Sequence, residues 1–120
     1  MPNVVGLGGI FVKARDPDAL RTWYRDMLGV RIESWGGAQL WNEPAKRSYA
    51  VWSAFSASSD YFKPSDRDFM INFRVDDLDG MLAMLRERGA QVLERREDSP
   101  DGHFGYVVDP EGTLLELWQP

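Results

Sequence analysis

The same order of elements runs through this chain twice, and that repeat restricts the available folds more than any other feature. In the first half a glycine-rich β-forming stretch, residues 4–12, leads to Asp16-Pro17, an N-cap acid followed by a proline preset for the first helical turn. Leu20, Trp23, Tyr24, Met27 and Leu28 then recur at i, i+3, i+4, i+7 and i+8. That is one apolar stripe of an amphipathic helix, with Trp23 expected in the core and Gly29 as the stop. Strands are expected at 30–35, 38–42 and 48–55, with Gly36-Gly37 as a turn. The second half repeats the order: a strand at 69–75, then Asp77 capping Leu78, Met81, Leu82 and Leu85 at helical spacing, then Gly89. Strands at 91–95, 104–108 and 114–118 follow, the last two joined by the turn-forming Asp109-Pro110-Glu111-Gly112. From capping Asp to closing Gly is thirteen residues in one half and twelve in the other, as an internal duplication requires.

A half of about 60 residues buries only a marginal core by itself. The expected fold class is therefore α+β, with two βαβββ modules (1–57 and 68–120, joined by loop 58–67) forming a single domain, 1–120. That loop places Tyr61 and Phe62 in an otherwise polar connector. They are expected to pack back on the body, and a lid over a ligand cleft is the compatible functional reading.

Composition excludes several functions. The chain has 120 residues and no cysteine, so disulfides, thiolate metal sites and cysteine nucleophiles are out. A net charge of −5, with no basic block beyond Arg95-Arg96, argues against a nucleic-acid partner. No apolar run spans a bilayer and no signal segment is visible, so the expectation is a soluble, cytoplasmic protein without a membrane partner. His103 is the single histidine, which rules out any site needing two imidazoles from one chain. Between Gly102 and a strand, it reads as an exposed side chain. Serines lack a nucleophile elbow, and Gly6 to Gly9 lack phosphate-loop spacing.

The doubled module, the run Lys13-Ala14-Arg15-Asp16-Pro17-Asp18-Ala19-Leu20 with Trp23-Tyr24 and Leu28-Gly29, and the closing Asp109-Pro110-Glu111-Gly112-Thr113-Leu114-Leu115-Glu116-Leu117-Trp118 resemble the glyoxalase/bleomycin-resistance/dioxygenase (vicinal oxygen chelate) superfamily. The resemblance covers almost the whole chain. It implies a glyoxalase/bleomycin-resistance-like fold, a curved mixed sheet around a cleft, and a homodimer. It does not transfer a reaction, because that superfamily holds isomerases, ring-cleaving dioxygenases and metal-free drug-binding proteins alike. The superfamily's metal positions, counted from the helix caps, fall on Gly9, Met70 and Glu116, with the fourth within residues 49–53. Only Glu116 is a donor suited to a hard dication, so no metal site and no cofactor are expected.

Strand alternation, anchored on those positions, puts Phe11, Lys13, Met70, Asn72, Arg74, Glu116 and Trp118 toward the cleft. Trp41 and Trp52 are the stacking candidates, and Tyr61 and Phe62 complete the expected ligand-binding set. An apolar wall with few polar groups suits a small organic ligand, and net acidity with aromatic walls suits a cation. The leading reading is metal-independent binding of a small aromatic or cationic molecule, with Glu116 as the one candidate for catalysis. The alternatives are a metal-dependent lyase, isomerase or dioxygenase built on Glu116 with an oxygen-rich, Mg²⁺-like ligand set, and a non-catalytic interaction module. A filled, dry cleft would be the signature of the last.

Overall fold

Both helices start where an aspartate satisfies an orphan amide. In a computed structural model describing residues 1–42 and 48–120, the Asp16 carboxylate accepts from the Ala19 N–H at 3.0 Å and the Asp77 carboxylate from the Gly80 N–H at 3.0 Å. These caps open α1 (Pro17–Leu28) and α2 (Leu78–Glu87). Gly29, at φ 70°, closes α1 in the left-handed conformation.

Around the helices run β1 (Val4–Ala14), β2 (Gly37–Trp41), β3 (Tyr49–Ser56), β4 (Phe69–Val75), β5 (Gln91–Ser99), β6 (Gly102–Val108) and β7 (Leu114–Gln119). They form one mixed sheet in the order β2-β3-β1-β4-β7-β6-β5. The antiparallel β1–β4 pair is the seam between the two halves. On either side of it lies a parallel partner, β3 beside β1 and β7 beside β4. The seam is thus a pseudo-two-fold axis, as the duplicated sequence implies. The described residues contain no helix long and apolar enough to cross a membrane.

The two faces of the sheet bury different things. On the helix side, Val75, Leu78, Met81, Leu82, Val107 and Leu117 form one cluster. On the other side, Phe11, Phe62, Met70, Tyr106 and Leu114 form a second. The alternation of β4 and β7 expected from sequence accounts for this split: Met70 and Leu114 point one way, Val75 and Leu117 the other.

Two expectations need correcting. The stretch 30–35 is not a strand, so the first module is βαββ and only the second is βαβββ. Here the chain turns too tightly to form a ladder. The Glu33 N–H donates to Gly37 O at 2.8 Å, the Gly36 N–H to Glu33 O at 3.0 Å, and Gly36 sits at φ 99°. Arg21 of α1 fixes this turn, donating to Gly36 O at 2.7 Å and Ala54 O at 2.5 Å. Arg21→Met, which keeps the stem but strips both carbonyls of their charged donor, is expected to lower stability by about 2 kcal/mol in urea denaturation. Trp23 is also not in the core. Helix α1 has no fully buried residue and Trp23 remains 49% exposed.

Candidate functional site

On the face away from the helices the curved sheet encloses an open cavity of about 590 Å³, the size of a small-molecule site. Seven aromatic residues line it: Phe11, Trp35, Tyr49, Phe55, Tyr61, Phe104 and Trp118. Its polar lining includes Arg21, Gln39, Ser53, Asn72, Asp101 and Glu116. Among the described residues the cleft is open and not packed solid.

Glu116 sits in the floor, 2% exposed, on the interior strand β7. Register places it directly beside Asn72 of β4, which in turn pairs with Gly9 of β1. The Asn72 amide donates to Glu116 Oε1 at 2.7 Å, and the Tyr61 hydroxyl donates to Oε2 at 2.7 Å. Tyr61 has one proton to give, so at 2.8 Å it accepts from the Tyr106 hydroxyl. Burial raises the Glu116 pKa above the usual carboxylate range, while the Tyr61, Tyr106 and Asn72 hydrogen bonds pull it back. Burial and the neighbouring Glu116 charge push both phenols well above their ordinary value, which keeps them neutral donors.

The cations around this floor are engaged, although Arg95 Nη2 is buried without a partner. Arg95 lies against both phenol rings, its guanidinium carbon 4.1 Å from the Tyr61 centroid and 3.9 Å from that of Tyr106. It also donates to Tyr61 O at 2.9 Å, tying loop 58–67 to β5. Arg74 donates to Tyr49 O at 2.9 Å and stacks 4.8 Å from the Trp118 ring. Arg21 enters the lining with its guanidinium on two backbone carbonyls and on Asp18 at 3.0 Å.

Of the residues selected from sequence, Phe11, Tyr61, Asn72, Glu116 and Trp118 line the cavity. Phe62 and Met70 are fully buried beneath it, and Lys13 reaches over the Phe62 ring at 5.5 Å. Arg74 backs Trp118. Trp41 packs on Tyr49 at 4.5 Å, and Tyr49 continues to Trp118 at 5.5 Å, so Trp41 extends the wall without bounding the cavity. Trp52 points to the opposite face, stacked on Tyr24 of α1 at 4.2 Å. Strand parity explains its placement: Val51, Ser53 and Phe55 line the cavity and Trp52 alternates away. Sequence reasoning missed Tyr49, Phe55, Phe104, Tyr106, Arg21 and Arg95. The parity of 49 and 55 relative to 52 carried a readable signal; the two arginines, whose partners are distant carbonyls and rings, left none. His103 is half exposed, with Nδ1 2.5 Å from Asp98 Oδ1, away from the cavity lining.

A divalent ion does not fit this donor set. The residue paired with Glu116 is Asn72, not Met70, which lies two residues back along the same face of β4; the β-bulge between Leu7 and Gly9 lies in the other ladder of β4, with β1. Both Glu116 oxygens are taken by hydrogen bonds, and the Asn72 carbonyl oxygen is buried without a partner, near Gly8. A Cβ at Gly8 would lie 1.8 Å from that oxygen, and one at Gly9 2.2 Å from Val51 O, so no side chain from this part of β1 can approach. Among the described residues, no three His, Asp or Glu side chains converge on a common point.

Known structures share this architecture. Methylmalonyl-CoA epimerase from Mycobacterium tuberculosis is 25% identical, with 98% of this chain and 89% of that one covered at a TM-score of 0.66. A Streptomyces coelicolor methylmalonyl-CoA epimerase, in complex with 2-nitronate-propionyl-CoA, is 20% identical with 98% of each chain covered and a TM-score of 0.66. A glyoxalase/bleomycin resistance protein/dioxygenase superfamily member from Vibrio splendidus 12B01 is 14% identical, with both chains fully covered and a TM-score of 0.62. None of the curated proteins matches. The family model of the glyoxalase-like domain matches residues 9–118, nearly the whole chain, and this shows that the chain belongs to the glyoxalase-like domain family.

Proposed function

We propose that the cavity binds a small aromatic cation without the help of a metal. One observation carries this: seven aromatic rings surround a buried carboxyl group, while Arg21, Arg74 and Arg95 are each held by carbonyls or rings. A ligand that brings its own positive charge meets ring faces on the walls and a carboxylate in the floor. Of these three only Arg95 keeps a buried nitrogen, Nη2, without a partner, and its guanidinium lies against the two tyrosine rings, outside the cavity lining, where an anion in the cavity does not meet it.

Titration with 1-methylquinolinium, followed by tryptophan fluorescence, tests the reading against the uncharged isostere 1-methylnaphthalene. The cation is expected to bind at least about tenfold more tightly, a difference of roughly 1.4 kcal/mol from the aromatic walls and carboxylate together. Equal binding of the two, or no response to either, defeats the proposal.

A second reading draws on the raised Glu116 pKa and on the epimerase of 25% identity. A carboxylate moved toward neutral pH and oriented by Tyr61 and Asn72 is suited to take a proton from a carbon acid. Incubation with methylmalonyl-CoA in D₂O separates the two. Exchange of the substrate C–H that disappears in Glu116→Gln would make this an isomerase, whereas its absence alongside quinolinium binding leaves the cation reading standing.

A further inference from the structure

The floor of the cavity is short of free hydrogen-bond acceptors, and that limits the kind of positive charge it can take. Glu116 already accepts from two donors, the Asn72 amide on Oε1 and the Tyr61 hydroxyl on Oε2, each at 2.7 Å. The other acceptor there, Asn72 Oδ1, is buried and turned toward Gly8, out of a ligand's reach.

Main-chain carbonyls around the cavity are taken as well. Arg74 donates to Tyr49 O at 2.9 Å, Arg21 to Ala54 O at 2.5 Å, and Trp118 Nε1 to Asp101 O at 2.9 Å. The side-chain acceptors of the lining that carry no such bond among the described residues stand away from the floor. Gln39 and Ser53 are on β2 and β3, with β1 and β4 between them and the β7 strand of Glu116. The Asp101 carboxylate is exposed in the turn from β5 to β6. Ring surface, by contrast, is close at hand. Trp118 lies two residues along the same face of β7, Tyr49 packs 5.5 Å from it, and the Tyr61 ring carries the hydroxyl that holds the carboxylate.

This combination separates two kinds of nitrogen cation. A primary ammonium ion is a compact, strongly hydrated charge with three N–H groups. Buried where acceptors already serve other donors, it loses hydration that nothing replaces. A quaternary or N-alkylated heteroaromatic nitrogen has no N–H to satisfy, and its charge is attracted by ring faces and by a nearby carboxylate without a hydrogen bond. We propose that the cavity selects a permanently charged nitrogen, a quaternary ammonium or an N-alkylated heteroaromatic ring, over protonated amines. Resting on the cation reading above, this names the kind of charge that the site accepts.

Fluorescence titration at pH 7 with benzylammonium and its N-methyl, N,N-dimethyl and N,N,N-trimethyl forms tests the selection, since amines of this kind are all charged there. Affinity is expected to rise at each step, by at least about tenfold from one end of the series to the other. Neopentylbenzene, which has the shape of benzyltrimethylammonium and no charge, is expected to bind more weakly than that cation. Tyr61→Phe keeps the ring and frees Oε2 for a ligand N–H, so in that variant the preference for the trimethyl form is expected to shrink to about parity. A series that is flat or falls with methylation overturns the proposal. If 1-methylquinolinium still outbinds 1-methylnaphthalene in that case, the cation reading survives and only the selection is lost. Neopentylbenzene binding as tightly as benzyltrimethylammonium, or a preference unchanged in Tyr61→Phe, overturns the proposal too.

Discussion

Glu116→Gln is expected to make the protein more stable at neutral pH and at the same time a poorer receptor for cations. The carboxyl is 2% exposed, and burial holds its pKa above the ordinary range. A folded state with the higher pKa keeps a proton that the unfolded chain has already lost. Its contribution is therefore fully present below the unfolded value and disappears as pH rises through the folded one. The slope from one such group cannot exceed about 1.4 kcal/mol per pH unit. Gln keeps the shape and offers an oxygen to the Asn72 amide and an NH₂ to the Tyr61 hydroxyl, so the variant loses the titration and not the packing. A gain of about 1–2 kcal/mol above neutral pH is expected, or roughly 4–8 °C in Tm for a chain of this size.

Binding moves the other way. A bound cation favours the ionised carboxyl, so affinity for 1-methylquinolinium should climb as pH rises through the Glu116 pKa and then level off. In Glu116→Gln that climb should vanish and affinity should fall about 30-fold, near 2 kcal/mol for a desolvated charge pair. Melting curves and fluorescence titrations at matched pH values check both. A variant that is less stable at pH 8 would mean that Glu116 is held ionised by its hydrogen bonds. One with unchanged, pH-dependent affinity would place the ligand elsewhere.

What could be read from the chain followed the range of the physics involved. Asp16 and Asp77 act within three residues of themselves, and both helix starts were legible. Alternation along β4 and β7 is equally local, and it put Asn72, Glu116 and Trp118 on the cavity side. Stretch 30–35 has strand-like composition, but the partner that bends it away is Arg21, in the preceding helix. Trp23 shows the limit of helical periodicity. The stripe was real, yet spacing identifies an apolar face without naming what covers it. Met70 shares the face of Asn72, but alternation does not say which of two residues on one face stands beside Glu116, and Met70 is instead buried with Phe62 and Tyr106. Arg95, which holds the tyrosine pair from behind, is in sequence only one arginine among several.

The β-bulge between Leu7 and Gly9 sits among the glycines of β1, and their backbone carries the other large prediction. A Cβ built on Gly9 would stand 2.2 Å from Val51 O and 3.0 Å from Val51 C, both main-chain atoms of the parallel strand beside it. No rotamer relieves that contact; β1 and β3 must part. Gly9→Ala is therefore expected to cost about 3 kcal/mol, near 10 °C in Tm, well beyond the roughly 0.4–1 kcal/mol that alanine returns by stiffening the unfolded chain. Gly6→Ala is the matched control on the same strand. Its Cβ would meet nothing nearer than Arg74 Cδ at 4.0 Å, so only the unfolded-state effect should remain and stability should stay level or rise slightly. Urea denaturation of the two variants decides the matter, and equal stabilities would mean that the strands already stand further apart than the close approach at Gly9 requires. The same contact bears on the chemistry of the family. A metal-ligating side chain cannot be placed at Gly9 by one substitution, because the strand that would present it has closed onto its neighbour, and Gly9→His should unfold the protein before it binds an ion.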